Sequence, residues 1–595
     1  MSAPFDHARR RLLAKMLSEL TWEEVLHPEG TDHYRLPLAS GPTYRFRAMR
    51  GIWDNLDIDP GSLSLDNSAH PCPLQFAVNA QTELGMTPAT HATFLRELSN
   101  TLRQDIELLR LYGSATADEM IHWPTTKLHA ALNGHPKAVA NKGRLGWGSA
   151  DLDAYAPEYA RPIQLSWLAI HRNLLRSGRS DSMDNTALLD RAIGAKPAET
   201  LRQKAGAAGA RPEDHVLMPV HPWQMQAHLA QAFTVELSQN QIIDLGLHGP
   251  DFVATPSIRT LTPATGGPFD VKLSLGILNT SAWRGMPGKY IEHGGAISDW
   301  LTGLVNDDPV LKPCVTVLRE VAGDWVRHPL IAACPDAPYR HHELLGALWR
   351  ENADHRAGPG QRAVMASALF HEGACGTPLA VAYANKAGMP IDTWLAALFE
   401  VTVVPLWHML CRYGVGFIAH GQNITVILEN NMPVGMAVKD FQGDLDLVDQ
   451  DFPEMADLDP AIRALLPRKP PAYIVHDIQT AHFITVLRFL SAALSRSGAL
   501  AEDRFYALLA KTLRTYATAH PELADRQQMF DLFAPLMPKV CINRVRFAIG
   551  YEDSAERPLP ARGTDLTNPL WTMPDGPIVS TSNRYARTAQ TTDIS

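Results

Sequence analysis

At 595 residues the chain is too long for a single hydrophobic core, and a typical domain size of roughly 150 residues predicts two to four domains. Apolar residues make up 45% of the sequence and charged residues 20%, which is typical of a folded globular enzyme and excludes general disorder. The net charge of −9 excludes a dedicated nucleic-acid-binding protein, because phosphate neutralisation requires a basic surface.

The spacing of the cysteines and the hydropathy of the chain indicate in which cellular compartment the protein is expected. The six cysteines include no C-x-x-C pair, so the sequence predicts neither a zinc site nor a disulfide framework. The stretch "ARRRLLAKMLSELTWEEV" begins with basic residues, but glutamates interrupt the apolar region that an export signal needs, and we expect an amphipathic helix there. No uncharged apolar stretch of about 18 residues occurs, so we expect a cytoplasmic protein without a membrane-spanning helix.

The first region, to about residue 113, mixes short strands with helices. The segments "DHYRLPL" and "TYRFRAM" alternate as strands do, and "HATFLRELSNTLRQDIELLRLYG" has one apolar stripe at helical spacing. Strand patterns dominate between about residues 123 and 329, helical patterns return from about residue 330, and a polar tail follows Pro577. The sequence therefore predicts an α+β fold in which antiparallel hairpins are combined with many helices.

A cationic hairpin is predicted in the middle region. The segments "SIRTL" and "VKLSLGIL" read as two strands, and the loop "TPATGGPFD" between them has the Gly and Pro that a reversal needs. Folding about the centre of this loop places Arg259 opposite Lys272. The polar residues gathered on one face and just beyond the strand end are Ser257, Arg259, Lys272, Thr280 and Arg284. Two Arg and one Lys that converge indicate an anion site, because both side chains bind carboxylate or phosphate oxygens.

The loop "NGHPKAVANKGRLGWG" before this hairpin supplies further donors. Its residues His135, Lys142 and Arg144, spaced between glycines, are typical of a turn that presents cationic groups to phosphate. The sequence has neither a Walker A loop nor a G-x-G-x-x-G that opens a helix, so neither a P-loop nor a dinucleotide-binding fold is predicted.

A second hairpin is predicted in "FIAHGQNITVILENNMPVGMAVKDFQG", residues 417–443. If the turn is centred on the four residues "NNMP", Asn423 lies across from Asp440, and His420 lies at the same open end. Asn and Asp offer the hard oxygen ligands that suit Mg²⁺ on phosphates. Together the two hairpins indicate a nucleotide and a carboxylate substrate.

These motifs, taken in chain order, resemble those of a known family. The sequence contains "GHP" with Lys142 and Arg144 behind it, then "YAPEY", "HPWQ", "SIRT" followed by Lys272, Thr280 and Arg284, and finally "HGQN" with "KDFQG". This order resembles the aerobactin-synthetase-type family of NRPS-independent siderophore (NIS) synthetases.

The resemblance implies a fold and a reaction. The fold is a cupped hand made of a thumb, fingers and a palm, which we expect at residues 1–118, 119–329 and 330–595. The reaction uses ATP and Mg²⁺ to convert a citrate-like carboxylate into an acyl-adenylate, from which an amine or hydroxyl then displaces AMP. We expect a homodimer in the cytoplasm that binds neither nucleic acid nor membrane.

The resemblance also implies residue roles. The expected nucleotide contacts are His135, Lys142, Ser257, Arg259, Thr260, Lys272, Asn423 and Asp440. Asn423 and Asp440 are also the expected metal ligands. Thr280, Arg284 and His420 are expected to hold the carboxylate, and Lys272, Arg284 and His420 to be catalytic.

Substrate identity stays open within this family. Citrate, a citryl monoamide, 2-oxoglutarate and a succinyl-hydroxamate are all used as acids, and we expect citrate or a citryl derivative because the cationic residues suffice for three carboxylates. The nucleophile is a polyamine, an amino acid or an N-hydroxy amine.

Two other classes remain as alternatives. "HGQNITVI" followed by "VKDFQG" is similar to the catalytic loop and metal-binding Asp-Phe of kinases, although Gln422 stands where those enzymes have the orienting Asp. A carboxylate-binding module without catalytic activity is the third reading, and such a module would not need a nucleotide.

Overall fold

The computed structural model describes residues 3–66, 70–181, 183–280, 282–334, 336–441, 443–551 and 561–573. The described helices of six residues or more are α1 (Ala3–Trp22), α2 (Pro73–Asn79), α3 (Pro88–Tyr112), α4 (Thr125–Ala131), α5 (Ser149–Tyr155), α6 (Asn185–Ile193), α7 (Ala195–Ala207), α8 (Gly294–Asp307), α9 (Leu379–Lys386), α10 (Ile391–Tyr413), α11 (Pro460–Leu465), α12 (Arg488–Arg496), α13 (Glu502–Ala519), α14 (Ala524–Met529) and α15 (Asn543–Ile549). A π-helix, Gln479–Leu487, runs directly into α12.

The described strands form six sheets. In chain order they are β1 (Glu29–Gly30), β2 (His33–Pro37), β3 (Thr43–Arg50), β4 (Leu56–Ile58), β5 (Ser64–Leu65), β6 (Ile163–His171), β7 (Leu175–Arg179), β8 (His215–Val220), β9 (Ile242–Ala254), β10 (Thr260–Pro263), β11 (Phe269–Leu273), β12 (Leu275–Asn279), β13 (Ala282–Arg284), β14 (Val315–Val317), β15 (Glu320–Val326), β16 (Gly346–Glu351), β17 (Gln361–Met365), β18 (Val415–Phe417), β19 (Ile424–Glu429), β20 (Met432–Val438), β21 (Leu445–Val448), β22 (Arg468–Lys469), β23 (Leu536–Cys541) and β24 (Ala561–Thr567). Most neighbours are antiparallel, and β14–β20 and β21–β22 are parallel. The predicted α+β fold with antiparallel sheets is confirmed.

The N-terminal elements match their sequence patterns. The amphipathic helix is α1, the two predicted strands are β2 and β3, and the long predicted helix is α3. Phe94 and Leu98 of the predicted stripe are buried against α1 and the first sheet. Phe547 of α15 packs edge-on against Phe94 at 5.2 Å between ring centres, so the last described helix closes the core begun by the first.

An eight-stranded sheet holds the cationic hairpin. Its strand order is β7-β15-β16-β11-β10-β9-β6-β8, so β10 and β11 are interior strands. Val271 and Leu273 point to the face that α6 and α7 cover, because side chains alternate along a strand. Lys272 points to the opposite face, and this alternation places a cation on the side of the sheet away from that core.

A four-stranded sheet, β14-β20-β19-β17, holds the second hairpin. It shares a core with α9, α10, α12 and α13. Among the described residues α10 alone is long and apolar enough to cross a membrane, but 72% of its most apolar window is buried inside the protein. Core helices of soluble proteins pass the same composition test, so α10 carries no membrane assignment.

The register of the second hairpin differs from the prediction. Asn430 and Asn431, at φ 49° and 66°, form a two-residue turn of the kind that favours Asn, in place of a four-residue turn. The shorter turn shifts the pairing of the two strands by two residues from the predicted register. An irregularity between Ile427 and Leu428 then shifts it back by one residue. Lys439 therefore donates its N–H to the Asn423 carbonyl at 3.3 Å, and the prediction that Asn423 lies across from Asp440 is wrong by one residue.

The first hairpin is also shifted by one. Thr260 pairs with Lys272, so the prediction that Arg259 lies opposite Lys272 is wrong. The predicted second strand breaks at Ser274, whose N–H and hydroxyl donate to the carbonyls of Gly346 at 3.0 Å and Glu343 at 2.8 Å. The chain then leaves the sheet, and β12 pairs with β13 instead.

The predicted domain boundaries at 118/119 and 329/330 stay predictions. The polar tail after Pro577 lies outside the described residues.

Candidate active site

An ionic cluster lies where the two hairpins meet. Asp440 follows β20 at φ 68°, so the strand ends there and the residue leaves the ladder. Its Oδ1 forms an ion pair with Lys272 of β11 and another with Arg350 of β16, 2.9 Å from Nη1. Lys439 adds a third neighbouring cation. Three cations therefore surround Asp440, and two further acids, Asp270 and Glu320, lie near the same cations.

The electrostatics of this cluster favour a further anion. Burial raises the pKa of Asp440, but Arg350, Lys272 and Lys439 outweigh it and hold that pKa well below its usual value. Burial, reinforced by Arg350, lowers the pKa of Lys439 to about 8. Burial also lowers the pKa of Lys272, against the attraction of Asp440. Cations held this close together in a buried site are relieved by a ligand that carries negative charge.

Several polar atoms near this cluster are buried without a hydrogen bond among the described residues. They are Nε and Nη1 of Arg350 and Oγ1 of Thr260. Arg350 Nη1 makes only the ion pair with Asp440, because the geometry is not that of an aligned hydrogen bond. Unsatisfied donors of this kind are costly, so their presence indicates a ligand site.

Asn423 lies beside a different carboxylate from the one predicted. Its Nδ2 donates to Asp444 Oδ2 at 3.0 Å and to the Ile418 carbonyl at 3.1 Å. This orients the amide so that its oxygen faces away from both partners. In the described structure Oδ2 of Asp440 makes no hydrogen bond, so each predicted metal ligand retains one oxygen for a cation.

The β12–β13 hairpin carries two of the three predicted carboxylate residues, Thr280 in its turn and Arg284 at the end of β13. Arg284 Nε donates to the carbonyl of Asn279 at 2.9 Å, and the Thr280 hydroxyl lies 3.4 Å from the carbonyl of Asn141. Leu145 and Leu278 exchange two backbone hydrogen bonds of 2.9 Å. The loop that contains His135 and the hairpin that contains Arg284 are thereby joined.

Within this loop the three predicted donors differ. Lys142 Nζ donates to Asp105 at 2.5 Å and to the Asn133 carbonyl at 2.9 Å. Arg144 makes two 2.7 Å hydrogen bonds with the buried Glu158, so its guanidinium is used to anchor the loop. His135 Nδ1 accepts the N–H of Ala138 at 3.0 Å. Burial, with Lys15 and His420 nearby, lowers the pKa of His135 to about 3 and keeps its ring neutral.

His135 and His420 line one cavity. His420 Nδ1 accepts the N–H of Gln422 at 3.2 Å. The lining residues are Leu132, Asn133, Gly134, His135, Pro136, Pro256, Ser367, Phe370, His371, His420, Gly421, Gln422 and Thr485. None of these is an acid. Ser257, the other predicted residue on this side, follows Pro256 and shares a 3.2 Å hydrogen bond with Thr255.

Sequence reasoning missed three residues. Arg350 is the one cation in the strand "GALWRE", all of which is buried. A cation within such an apolar strand pattern is a signal in the sequence that could have identified it. Glu97 lies beside Leu98 on the buried face of α3, where an acid is unexpected. Burial raises the pKa of Glu97 to about 7, against the hydrogen bond from Tyr551 and the charges of Arg546 and Arg284. His371 had no sequence signal.

Comparison with known proteins identifies the family. Residues 126–371 match the sequence model of the IucA / IucC family, and residues 392–555 match that of the ferric iron reductase FhuF-like transporters. The aerobactin synthase of Escherichia coli is 40% identical over 573 residues, which span 95% of this chain and 98% of that protein.

Solved structures agree with the sequence match. The aerobactin synthetase IucC of a hypervirulent Klebsiella pneumoniae pathotype has a TM-score of 0.86 at 37% identity, covering 96% of this chain and 98% of that one. The ATP-bound aerobactin synthetase IucA of the same pathotype has a TM-score of 0.74 at 18% identity, covering 95% and 99%, and it shows a shared fold. These matches confirm the resemblance drawn from the motifs: the chain belongs to the IucA/IucC family of NRPS-independent siderophore synthetases, which are ligases of siderophore biosynthesis.

Proposed function

We propose that the protein uses ATP to adenylate citrate or a citryl derivative and then joins the acyl group to an amine, releasing pyrophosphate and AMP. Adenylation is the first half-reaction and amine capture is the second. The observation that carries this proposal is the group of buried cations around Asp440, formed by Lys272, Arg350 and Lys439, together with the Arg350 Nε that makes no hydrogen bond to a described residue.

The cations around Asp440 would reduce the charge repulsion that opposes adenylation. A carboxylate must attack a phosphate that is also negative, so both reactants need compensating charge. Lys272 and Arg350 would contact phosphate oxygens, and Arg259, whose charge acts on Lys272, would add a further cation. Fixed cations in a buried site stabilise the negative charge that develops at phosphorus without rearrangement during the reaction. Use of ATP is also supported by the ATP-bound structure that shares this fold.

The donor set also fits Mg²⁺. Asn423 and Asp440 would hold the ion through the amide and carboxylate oxygens that remain available. A bound Mg²⁺ would add positive charge at phosphate oxygens that Lys272, Arg350 and Lys439 do not contact. The metal role of both residues is a proposal.

Arg284, Thr280 and His420 would hold the carboxylate substrate. Because His420 Nδ1 accepts a backbone N–H, its other nitrogen carries the proton and can donate to a carboxylate oxygen. Arg284 would add a charged donor from the β12–β13 hairpin. Relatives whose names include citryl-spermidine and citryl-hydroxylysine compounds support citrate with an amine as the substrate classes.

A kinase-like phosphotransferase is not favoured. Gln422 stands where such an enzyme needs an Asp, and its backbone N–H is used to fix the His420 ring. The family match points to a ligase instead. The homodimer, the cytoplasmic location and the choice of nucleophile stay predictions.

Carboxylate-dependent exchange of labelled pyrophosphate into ATP tests the first half-reaction alone. We expect exchange with citrate or a citryl monoamide and background exchange with 2-oxoglutarate. Absence of exchange with every acid, under conditions where ATP binds, would contradict adenylation.

A further inference from the structure

The cavity beside His420 has a wall that the first half-reaction does not use. His135 and His420 form one side, next to Pro256 and the nucleotide residues. The same cavity is also lined by Ser367, Phe370 and His371 from the segment after β17, and by Thr485 from the π-helix. A second substrate that enters this cavity would meet these residues together with His420.

Amine capture requires a group that accepts a proton. When an amine nitrogen bonds to the acyl carbon, the nitrogen becomes positive and must lose a proton before the adduct collapses to an amide. The described residues that line the cavity include no Asp or Glu, and the imidazoles of His135, His371 and His420 are their only conventional bases. The acceptor is to be found among these three.

Two of the three imidazoles are unsuited. His135 Nδ1 accepts from Ala138 N–H, and His420 Nδ1 accepts from Gln422 N–H. In a neutral ring with Nδ1 as acceptor, the proton is on Nε2. Both rings therefore present a donor to the cavity, and to take up a second proton each would have to give up its backbone hydrogen bond.

His371 differs from both. Neither of its ring nitrogens makes a hydrogen bond to a described residue, and it is held by backbone hydrogen bonds to Ala368 and Leu379. Burial, followed by the charges of Arg11 and Lys142, lowers the pKa of His371 to about 4, so the ring is neutral at physiological pH. The charged and titratable described groups around it are these two cations and the other two imidazoles that line the cavity, His135 and His420.

We propose that His371 accepts the proton that the attacking amine loses in the second half-reaction, an inference that rests on the proposed function. The nitrogen–carbon bond forms, the proton moves from nitrogen to a ring nitrogen of His371, and the carbon–oxygen bond to AMP breaks with its electron pair on the phosphate. The proton then passes to solvent. The negative charge of the bound acyl-adenylate offsets the charges of Arg11 and Lys142, and this raises the basicity of the ring while the amine is in place.

The two half-reactions separate this role from a structural one. His371→Asn keeps a polar side chain of similar size but cannot take up a proton. We expect it to retain citrate-dependent pyrophosphate exchange within about twofold and to lose about 100-fold or more in the rate of amide formation. In His371→Ala, added imidazole should restore part of that rate, because the cavity then has room for it.

His476→Asn is the matched control. His476 is a half-buried imidazole whose pKa burial also lowers to about 4, but it does not line the cavity, and its ring contacts Thr480. It should leave both half-reactions unchanged. Unchanged amide formation in His371→Asn, or equal loss of both half-reactions without rescue by imidazole, would overturn the inference. Failure of the wild-type protein to exchange pyrophosphate would instead contradict the proposed function.

Discussion

Lys272 and Asp440 form a direct ion pair although 168 residues separate them in the sequence. Lys272 belongs to the eight-stranded sheet, and Asp440 follows a strand of the four-stranded sheet. The site is thus located where the two sheets meet. Arg350, which also contacts Asp440, strengthens this connection from the strand next to Lys272.

Replacing Asp440 tests both the ion cluster and the metal role. Asp440→Asn leaves Lys272 and Arg350 without their counter-charge, and loss of one partner of a buried ion pair costs about 3–5 kcal/mol. We expect a lower melting temperature and either no turnover or a raised Mg²⁺ requirement. Asp449→Asn, at an exposed position, is the control. Normal turnover with a normal magnesium titration would show that Asp440 holds no metal.

Arg284→Ala should weaken use of the carboxylate while nucleotide binding is kept. The guanidinium of Arg284, the last residue of β13, is anchored to the Asn279 carbonyl, whereas Asp440 is paired with Lys272 and Arg350. We expect the KM for citrate to rise about tenfold or more, with the Kd for ATP within about twofold, because one charge-assisted contact is removed. Calorimetry for ATP and exchange kinetics for citrate measure the two effects. An unchanged citrate KM would remove Arg284 from the carboxylate site.

His420 allows two functions of one ring to be separated. In His420→Asn the side-chain oxygen can still accept the N–H of Gln422, whereas His420→Ala loses both that acceptor and the donor that faces the cavity. If the donor to the carboxylate matters most, both variants should lose citrate-dependent exchange to a similar extent. Full activity of His420→Asn would show that the ring serves only to order the turn.

The raised pKa of Glu97 predicts that the free energy of unfolding depends on pH. Its pKa is raised from 4.5 to about 7 in the folded protein, so the folded state binds the proton more tightly than the unfolded state. Stability therefore falls as pH rises from about 4.5 to about 7, by roughly 3 kcal/mol for this group. Glu97→Gln still accepts a hydrogen bond from Tyr551 and should remove this slope.

Thermal unfolding between about pH 5 and pH 8 measures the effect of Glu97. The Gln variant should be more stable than the parent at the upper end and nearly equal at the lower end. Glu107→Gln, on the same helix, serves as the control. The same slope in the parent and in Glu97→Gln would show that Glu97 is ionised throughout this range.

The sequence predicted local structure better than pairing. Alternation in β2 and β3 and the apolar stripe of α3 depend on neighbouring residues, and these elements form where predicted. Register depends on the geometry of the turn. The Asn430-Asn431 turn and the irregularity at Ile427 together shift the second hairpin by one residue, and nothing in the composition of the strands reveals such an irregularity.

The candidate site was only partly predictable for the same reason. Lys272 and Asp440 could be found because each lies in a motif, but their contact required two sheets to meet. Arg350 reaches Asp440 from a strand that joins β11 only after about 75 further residues of chain, a pairing that no local pattern encodes. His371 and His420 are 49 positions apart in the sequence, and only the fold makes them line one cavity.

The nucleotide product tests the proposed reaction most directly. Purified protein is given ATP, Mg²⁺, citrate and hydroxylamine, and the products are separated by chromatography. We expect AMP and pyrophosphate in amounts equal to the hydroxamate formed, and neither without citrate. ADP and phosphate as the products would contradict adenylation and would favour the phosphotransferase alternative.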